Sequence, residues 1–361
     1  MMGKIRRMSS LHLTGKGVLP SQALEQMIAD KSIRALTPIV AGQVQPSSID
    51  LRLGYEAYRV RASFLAGSET VAAKLDRYAL HTIRLDKPEG AVLEKGCVYI
   101  LPLQEELTLP ADVSGKANPK SSTGRLDVFT RLITDRGSQF EILPPGYAGP
   151  LYAEVVPRTF SIVVRAGDRL SQLRLFHGES EAAAGQPRLE RLSVDLAGID
   201  GSAIIGYRAK KHAPLIDLAK LHYYDPGDFW DPIRRNESRT LILDPEDFYI
   251  LASREKVCIP PLYAAEMVPF DATIGEFRIH YAGFFDPGFG YGSGEMNGTR
   301  AVLEVRSHEV PFILEDGQVV ASLVFEQLLE SPRMLYGEGI GSSYQRQGLK
   351  LSKHFRAPAN V

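Results

Sequence analysis

Residues 118 to 125 read NPKSSTGR, eight positions without an apolar side chain. Lys120 and Arg125 bring cationic donors, Ser121 and Ser122 bring hydroxyls, and Gly124 lets backbone amides come close. Such a set can meet several phosphate oxygens through charge-assisted hydrogen bonds, and the same composition also suits a solvated turn. A second stretch, YAGFFDPGFG (281 to 290), combines aromatic rings with Ala282 and the carboxylate of Asp286. It reads either as a hairpin able to hold a flat ring and a sugar hydroxyl, or as an ordinary turn with proline at its second position. Glu154 in LYAEVV and Glu304 in AVLEVR interrupt apolar strands. A carboxylate there faces solvent, or sits in a cleft with a raised pKa suited to a general base. Near the C-terminus, YQRQG (344 to 348) holds Tyr344 and Gln347 in a polar, glycine-rich tail. A tail of this composition is disordered by default, or closes over an anionic ligand.

Other chemistries lack their signatures. No HxE with PCxxC, no HExxH, no Walker loop and no GxSxG occurs, and the eight histidines do not cluster. GFGYGSG (288 to 294) has no βαβ context that would make it a dinucleotide loop.

These residues are positioned by a chain that repeats itself. Tyr99, Ile100, Leu101, Leu109 and Pro110 recur as Tyr249, Ile250, Leu251, Ile259 and Pro260, all 150 positions on. Glu154 lies over Glu304, Gly167 over Gly317 and Leu173 over Leu323 at the same offset of 150, and Ile49-Asp50 over Ile199-Asp200. A period this long is that of two homologous domains in tandem. The boundary is expected in the small, polar and charged stretch 178 to 195, giving domains 1–185 and 186–361. The repeat also separates the motifs: VPFDATIG (268 to 275) replaces the cationic loop in the second copy, whereas only the second copy has the tight DPG hairpin. This asymmetry favours a phosphate site kept in one copy and lost in the other.

Within each half, short runs such as VYILPL and FSIVVRA are rich in β-branched and aromatic residues and punctuated by proline and glycine. A helix is expected over 21 to 33 with Ser21 as its N-cap. The fold class is therefore mostly β with a few short helices, as in a sandwich, jelly roll or barrel.

Composition sets outer limits. The 361 residues carry 42 basic against 43 acidic side chains, a net charge of −1, which excludes a nucleic-acid coat or a polybasic membrane patch. Any bound anion must be held by local geometry. Cys97 and Cys258, far apart and without a CxxC, fit a buried inert pair in a reducing compartment. The opening MMGKIRRMSSLHLTGKG lacks a signal-peptide core, and no run approaches the ~20 apolar residues of a span. The expected location is the cytoplasm, with no membrane partner.

In order along the chain, QPSSIDLRLG (45 to 54), PKSSTGR (119 to 125), DPGFG (286 to 290), LEV (303 to 305) and YQRQG together resemble the dCTP deaminase branch of the dUTPase-like superfamily. The resemblance implies two tandem dUTPase-like distorted jelly-roll or β-barrel domains. It implies hydrolytic deamination of dCTP to dUTP and ammonia, in the supply of pyrimidine deoxynucleotides and without protein-bound zinc. Its general base would be Glu154 or Glu304. Ser121, Ser122 and Arg125 match the family's nucleotide loop, with Lys120 in place of its first arginine. Ala282, Asp286, Tyr344 and Gln347 would complete the nucleotide site. Mg²⁺ would arrive with the triphosphate, dTTP is a candidate regulator, and a homo-oligomer would carry sites at domain or subunit interfaces. Two arrangements follow: a composite site joining the KSSTGR loop to the hairpin and Glu304, or a site within domain 1 using Glu154. A dUTP diphosphatase or bifunctional enzyme using Asp286, and an inactive nucleotide-binding module, are the alternatives.

Overall fold

The computed structural model describes residues 13–178, 188–269, 277–280, 283–292, 298–307, 309–337, 344–345 and 347–357, and every structural statement below concerns these. The architecture is mostly β, in small sheets that are antiparallel except where Ile162–Val164 runs parallel to Ile216–Asp217.

The sequence repeat is a repeat of strand pairing. Val98–Thr108 pairs with Ala148–Pro157, and Phe248–Val257 pairs with Thr299–Ser307, so that Ile100 faces Glu154 and Ile250 faces Glu304 in the same register. Val113–Pro119 lies beside Arg169–His177, and Tyr263–Pro269 beside Val319–Gln327. Alternation places Leu101, Leu103 and Leu107 in the first core and Leu251, Leu303 and Leu323 in the second. The expected equivalence of Ile49-Asp50 with Ile199-Asp200 does not hold. Ile49–Arg52 is a strand on Arg169–His177, whereas Ile199–Gly201 is a 3₁₀ turn and Leu189–Ser193 takes the matching place on Val319–Gln327. The length of the intervening loops differs between the halves, so one offset cannot cover the whole repeat. The boundary expected at 185/186 lies outside the described residues.

The helix expected over 21 to 33 is shorter, Ser21–Ala29, and Pro20 rather than Ser21 is its N-cap. It stops because Ile33–Ala35 is drawn onto the edge of Val98–Thr108, where Ile33 is buried. Cys97 and Cys258 are free and half-buried rather than buried. No described helix is long and apolar enough to cross a membrane.

The halves are tied by aromatic and ionic contacts. Phe160 of the first half meets Phe229 and Trp230 edge to face, with ring centroids at 5.7 and 5.4 Å. Lys116 donates to Glu266 at 2.6 Å, and the buried Arg174 reaches Glu326 at 2.8 Å with Phe284 beneath its guanidinium. Arg306 pairs with Asp127 in the interior. The C-terminal residues, for which disorder was the default expectation, run back across the first half with Leu351 and Phe355 buried.

Candidate functional site

A cavity of about 530 Å³ opens between the halves. Its first wall grows from Val113–Pro119, which runs into Lys120 in extended conformation and then a single helical turn, Ser121–Gly124. The turn closes because the Lys120 carbonyl accepts both Thr123 N at 2.8 Å and Gly124 N at 3.0 Å. NPKSSTGR is thus a helical turn capping a strand, with Ser121 and Ser122 on the cavity lining. Arg125 follows and is 3% exposed. Its guanidinium lies 3.9 Å from the centroid of the Tyr344 ring, donates through Nη1 to the Lys350 carbonyl at 2.8 Å, and leaves Nε without a hydrogen-bond partner. Lys120 is drawn to Asp50 on strand Ile49–Arg52, which lies on the far side of Arg169–His177, and Asp50 also accepts from Arg169 at 3.3 Å.

The opposite wall is the hairpin. Phe284–Phe285 pairs with Ala265 and Glu266, and the chain turns at Asp286, whose carbonyl accepts Phe289 N at 3.1 Å. The Asp286 carboxyl is buried, which raises its pKa against the lowering influence of Arg174 and of Ser47, whose hydroxyl donates to it at 2.6 Å. Phe289 and Tyr336 add an aromatic flank at 5.7 Å from one another. Gly290 has φ +66°, and a Cβ there would stand 2.1 Å from the Val257 carbonyl oxygen. Gly290→Ala is therefore expected to cost more than ~1 kcal/mol of stability, read as a lowered midpoint in urea, because neither the dihedral nor the contact can relax without moving the hairpin. Ala282 lies outside the described residues.

Glu304 stands on the cavity lining, on strand Thr299–Ser307, and is 3% exposed. Burial pushes its carboxyl up to about 8, opposed by the Arg125 guanidinium, whose Nε is 3.9 Å away. Glu154 occupies the same register in the first half but different surroundings. It is fully buried, does not line the cavity, and accepts from Arg131 Nε at 3.0 Å across the neighbouring strand. That guanidinium is itself stacked 3.5 Å from the centroid of Phe140.

The tail completes the enclosure. Gln347 donates to the Arg300 carbonyl at 3.0 Å and keeps Oε1 without a partner. Gln345 clasps the hairpin, accepting from Gly290 N and donating to the Gly288 carbonyl, both at 3.0 Å. Tyr344 is buried against Arg125, and burial raises its phenol pKa. Sequence reasoning did not single out Arg169, Asp168, Lys353 or His354, all on the lining. His354 is pushed down to about 4 by burial and by Lys353, so it is neutral near pH 7. Among the described residues no group of three or more His, Cys, Asp or Glu is arranged to hold a metal ion.

The geometry has close relatives. Residues 15–179 match the family model of the 2′-deoxycytidine 5′-triphosphate deaminase (DCD) N-terminal domain, and residues 166–355 that of the C-terminal domain. A "dCTP deaminase, dUMP-forming" of Parafrankia sp. is 31% identical over 194 residues, 50% of this chain and 84% of that protein. The "dCTP deaminase" of Natronomonas pharaonis is 30% identical over 142 residues, 39% of this chain and 69% of its own. The crystal structure of 2′-deoxycytidine 5′-triphosphate deaminase from Agrobacterium tumefaciens superposes with a TM-score of 0.82 at 52% identity, over 87% of this chain and 100% of that one.

Proposed function

Because this chain belongs to the 2′-deoxycytidine 5′-triphosphate deaminase family, we propose that its composite cavity converts dCTP and water to dUTP and ammonia, with Glu304 as the proton carrier. The observation that carries this reading is a carboxyl buried in the cavity wall with its pKa pushed up to about 8. Ionised, Glu304 takes a proton from water as the water oxygen bonds to C4 of cytosine and the C4–N3 π electrons move to N3. It returns that proton to N3, and the second proton of the former water passes through the same carboxylate to the exocyclic amine. The C4–N4 bond then breaks, ammonia leaves, and a C4 carbonyl remains. A group whose pKa lies near the working pH can serve in both directions, and such positioned proton transfer contributes about 10²- to 10⁴-fold. Arg125, 3.9 Å away, keeps the ionised form within reach.

Lys120, Ser121, Ser122 and Arg169 are assigned to the phosphates. Asp50 pairs with both cations, Lys120 and Arg169, and so sets their side chains at the cavity wall. The aspartates of the cavity are already engaged: Asp50 by these cations, Asp168 by the Arg165 amide at 2.7 Å, and Asp286 by Ser47. That donor set suits an Mg²⁺ that is liganded by phosphate oxygens and water and neutralises the phosphate charge.

If ionised Glu304 is the base, kcat/KM for dCTP falls about tenfold per pH unit on the acid side of about 8, and the limb disappears in Glu304→Gln. A profile flat between about pH 6 and 9 defeats the assignment. The relatives named dUMP-forming favour a second reading, in which the cavity also hydrolyses dUTP to dUMP and pyrophosphate and the buried Asp286 activates the water. Ammonia without pyrophosphate from dCTP separates the single activity from the double one; no ammonia removes both.

A further inference from the structure

Lys353 lies beyond every motif discussed above, yet it lines the same cavity. The residues on either side fix it there. Leu351, Ser352, His354 and Phe355 are all at most 5% exposed. Ser352 Oγ donates to the Ser122 carbonyl at 2.9 Å, Phe355 packs on Phe229 with centroids at 5.2 Å, and the Lys353 amide reaches Tyr344 at 3.3 Å. A lysine between such anchors is carried on a fixed backbone, so only its own side-chain rotamers remain to be ordered when its ammonium engages a ligand.

The charges around it are unbalanced. Lys120, Arg169, Asp50 and Asp168 are the charges that act on Lys353, and Asp50 is already paired with both of those cations. Among the described residues the Lys353 ammonium has no carboxylate within ion-pair distance. Burial and the neighbouring cations hold its pKa below the usual lysine range. A half-buried cation without a carboxylate beside it and near two other cations is costly on its own and favourable when a polyanion enters.

We propose that Lys353 is a third cationic ligand for the phosphate chain of the nucleotide, supplied by the C-terminal segment and fixed against the Ser121-Ser122 turn by Ser352. The proposal rests on the deaminase reading of the cavity. Lys353→Met is expected to raise KM for dCTP about tenfold or more while kcat stays within about threefold, the loss typical of a charge-assisted hydrogen bond. The inhibition constant of inorganic triphosphate should rise by a similar factor, that of dCMP should not, and Lys353→Arg should restore most of the affinity. An unchanged KM overturns the proposal. So does an equal weakening of dCMP and triphosphate with a lowered Tm, which is the signature of a structural role. Should the wild-type protein release no ammonia from dCTP, the deaminase reading falls on its own, and calorimetric titration with inorganic triphosphate still decides the role of Lys353.

Discussion

Glu304→Gln lowers kcat for dCTP by about 10²- to 10⁴-fold while KM stays within a few-fold, because the amide keeps the shape of the wall but cannot take a proton. Glu154→Gln, chemically the same change at the equivalent register, leaves kcat near wild type and instead lowers the unfolding midpoint, since it strips the counter-charge from Arg131. The two variants together decide between the composite site and a site within domain 1, and loss of activity only in the Glu154 variant would reverse the assignment. Linkage gives an independent reading. A carboxyl whose pKa is about 8 in the folded protein holds its proton more tightly there than in the unfolded chain. The stability it permits is fully present at acid pH and declines as pH rises from the ordinary glutamate range through about 8. Glu304→Gln removes that decline, so at pH 8 the inactive variant is expected to melt above wild type, and at pH 5 close to it.

Asp127→Ala is expected to cost about 3–5 kcal/mol of stability, measured from urea unfolding. Asp127 is 0% exposed and Arg306 5%, and the pair spans the two halves. Thr159 donates to the same carboxylate at 2.5 Å, and Arg306 also donates to the Glu246 carbonyl at 2.8 Å. Truncation takes the buried counter-charge from a desolvated guanidinium, and that cost exceeds what the pair contributes when intact. Arg306 is two residues beyond Glu304 on the same strand, so its side chain points to the same face. The variant should therefore also lose kcat, more than a remote substitution of equal ΔΔG would. A midpoint unchanged from wild type would show that the buried pair is dispensable.

The sequence reveals the duplication because strand register survives divergence: Tyr99 and Tyr249, or Glu154 and Glu304, stay in step wherever both halves keep the same ladder. It fails where loop lengths differ, as at Ile49 and Ile199. The KSSTGR turn and the DPGFG hairpin are legible as chemistry because each gathers its donors in a few consecutive positions. What distinguishes Glu304 from Glu154 is not local. Arg131 neutralises Glu154 from a different strand, and no spacing rule read along the chain says that 131 and 154 face each other. Lys353, Arg169 and His354 were missed for the same reason: each is one polar residue in an unremarkable segment, brought to the cavity by packing around Phe355 and by the ladder of Arg169–His177.

The Lys116–Glu266 contact joins positions that are counterparts in the repeat, 150 apart. Two identical halves meeting at this point would bring lysine to lysine or glutamate to glutamate, and like charges at such a distance repel. A change of sign in one copy turns that repulsion into an attraction between unlike halves. Duplication within a single chain thus freed what a self-associating subunit must keep the same on every face. One copy could keep the cation-bearing turn while the other turned its glutamate toward the cavity, and the charge reversal at Lys116 and Glu266 adds a contact that only unlike halves can make.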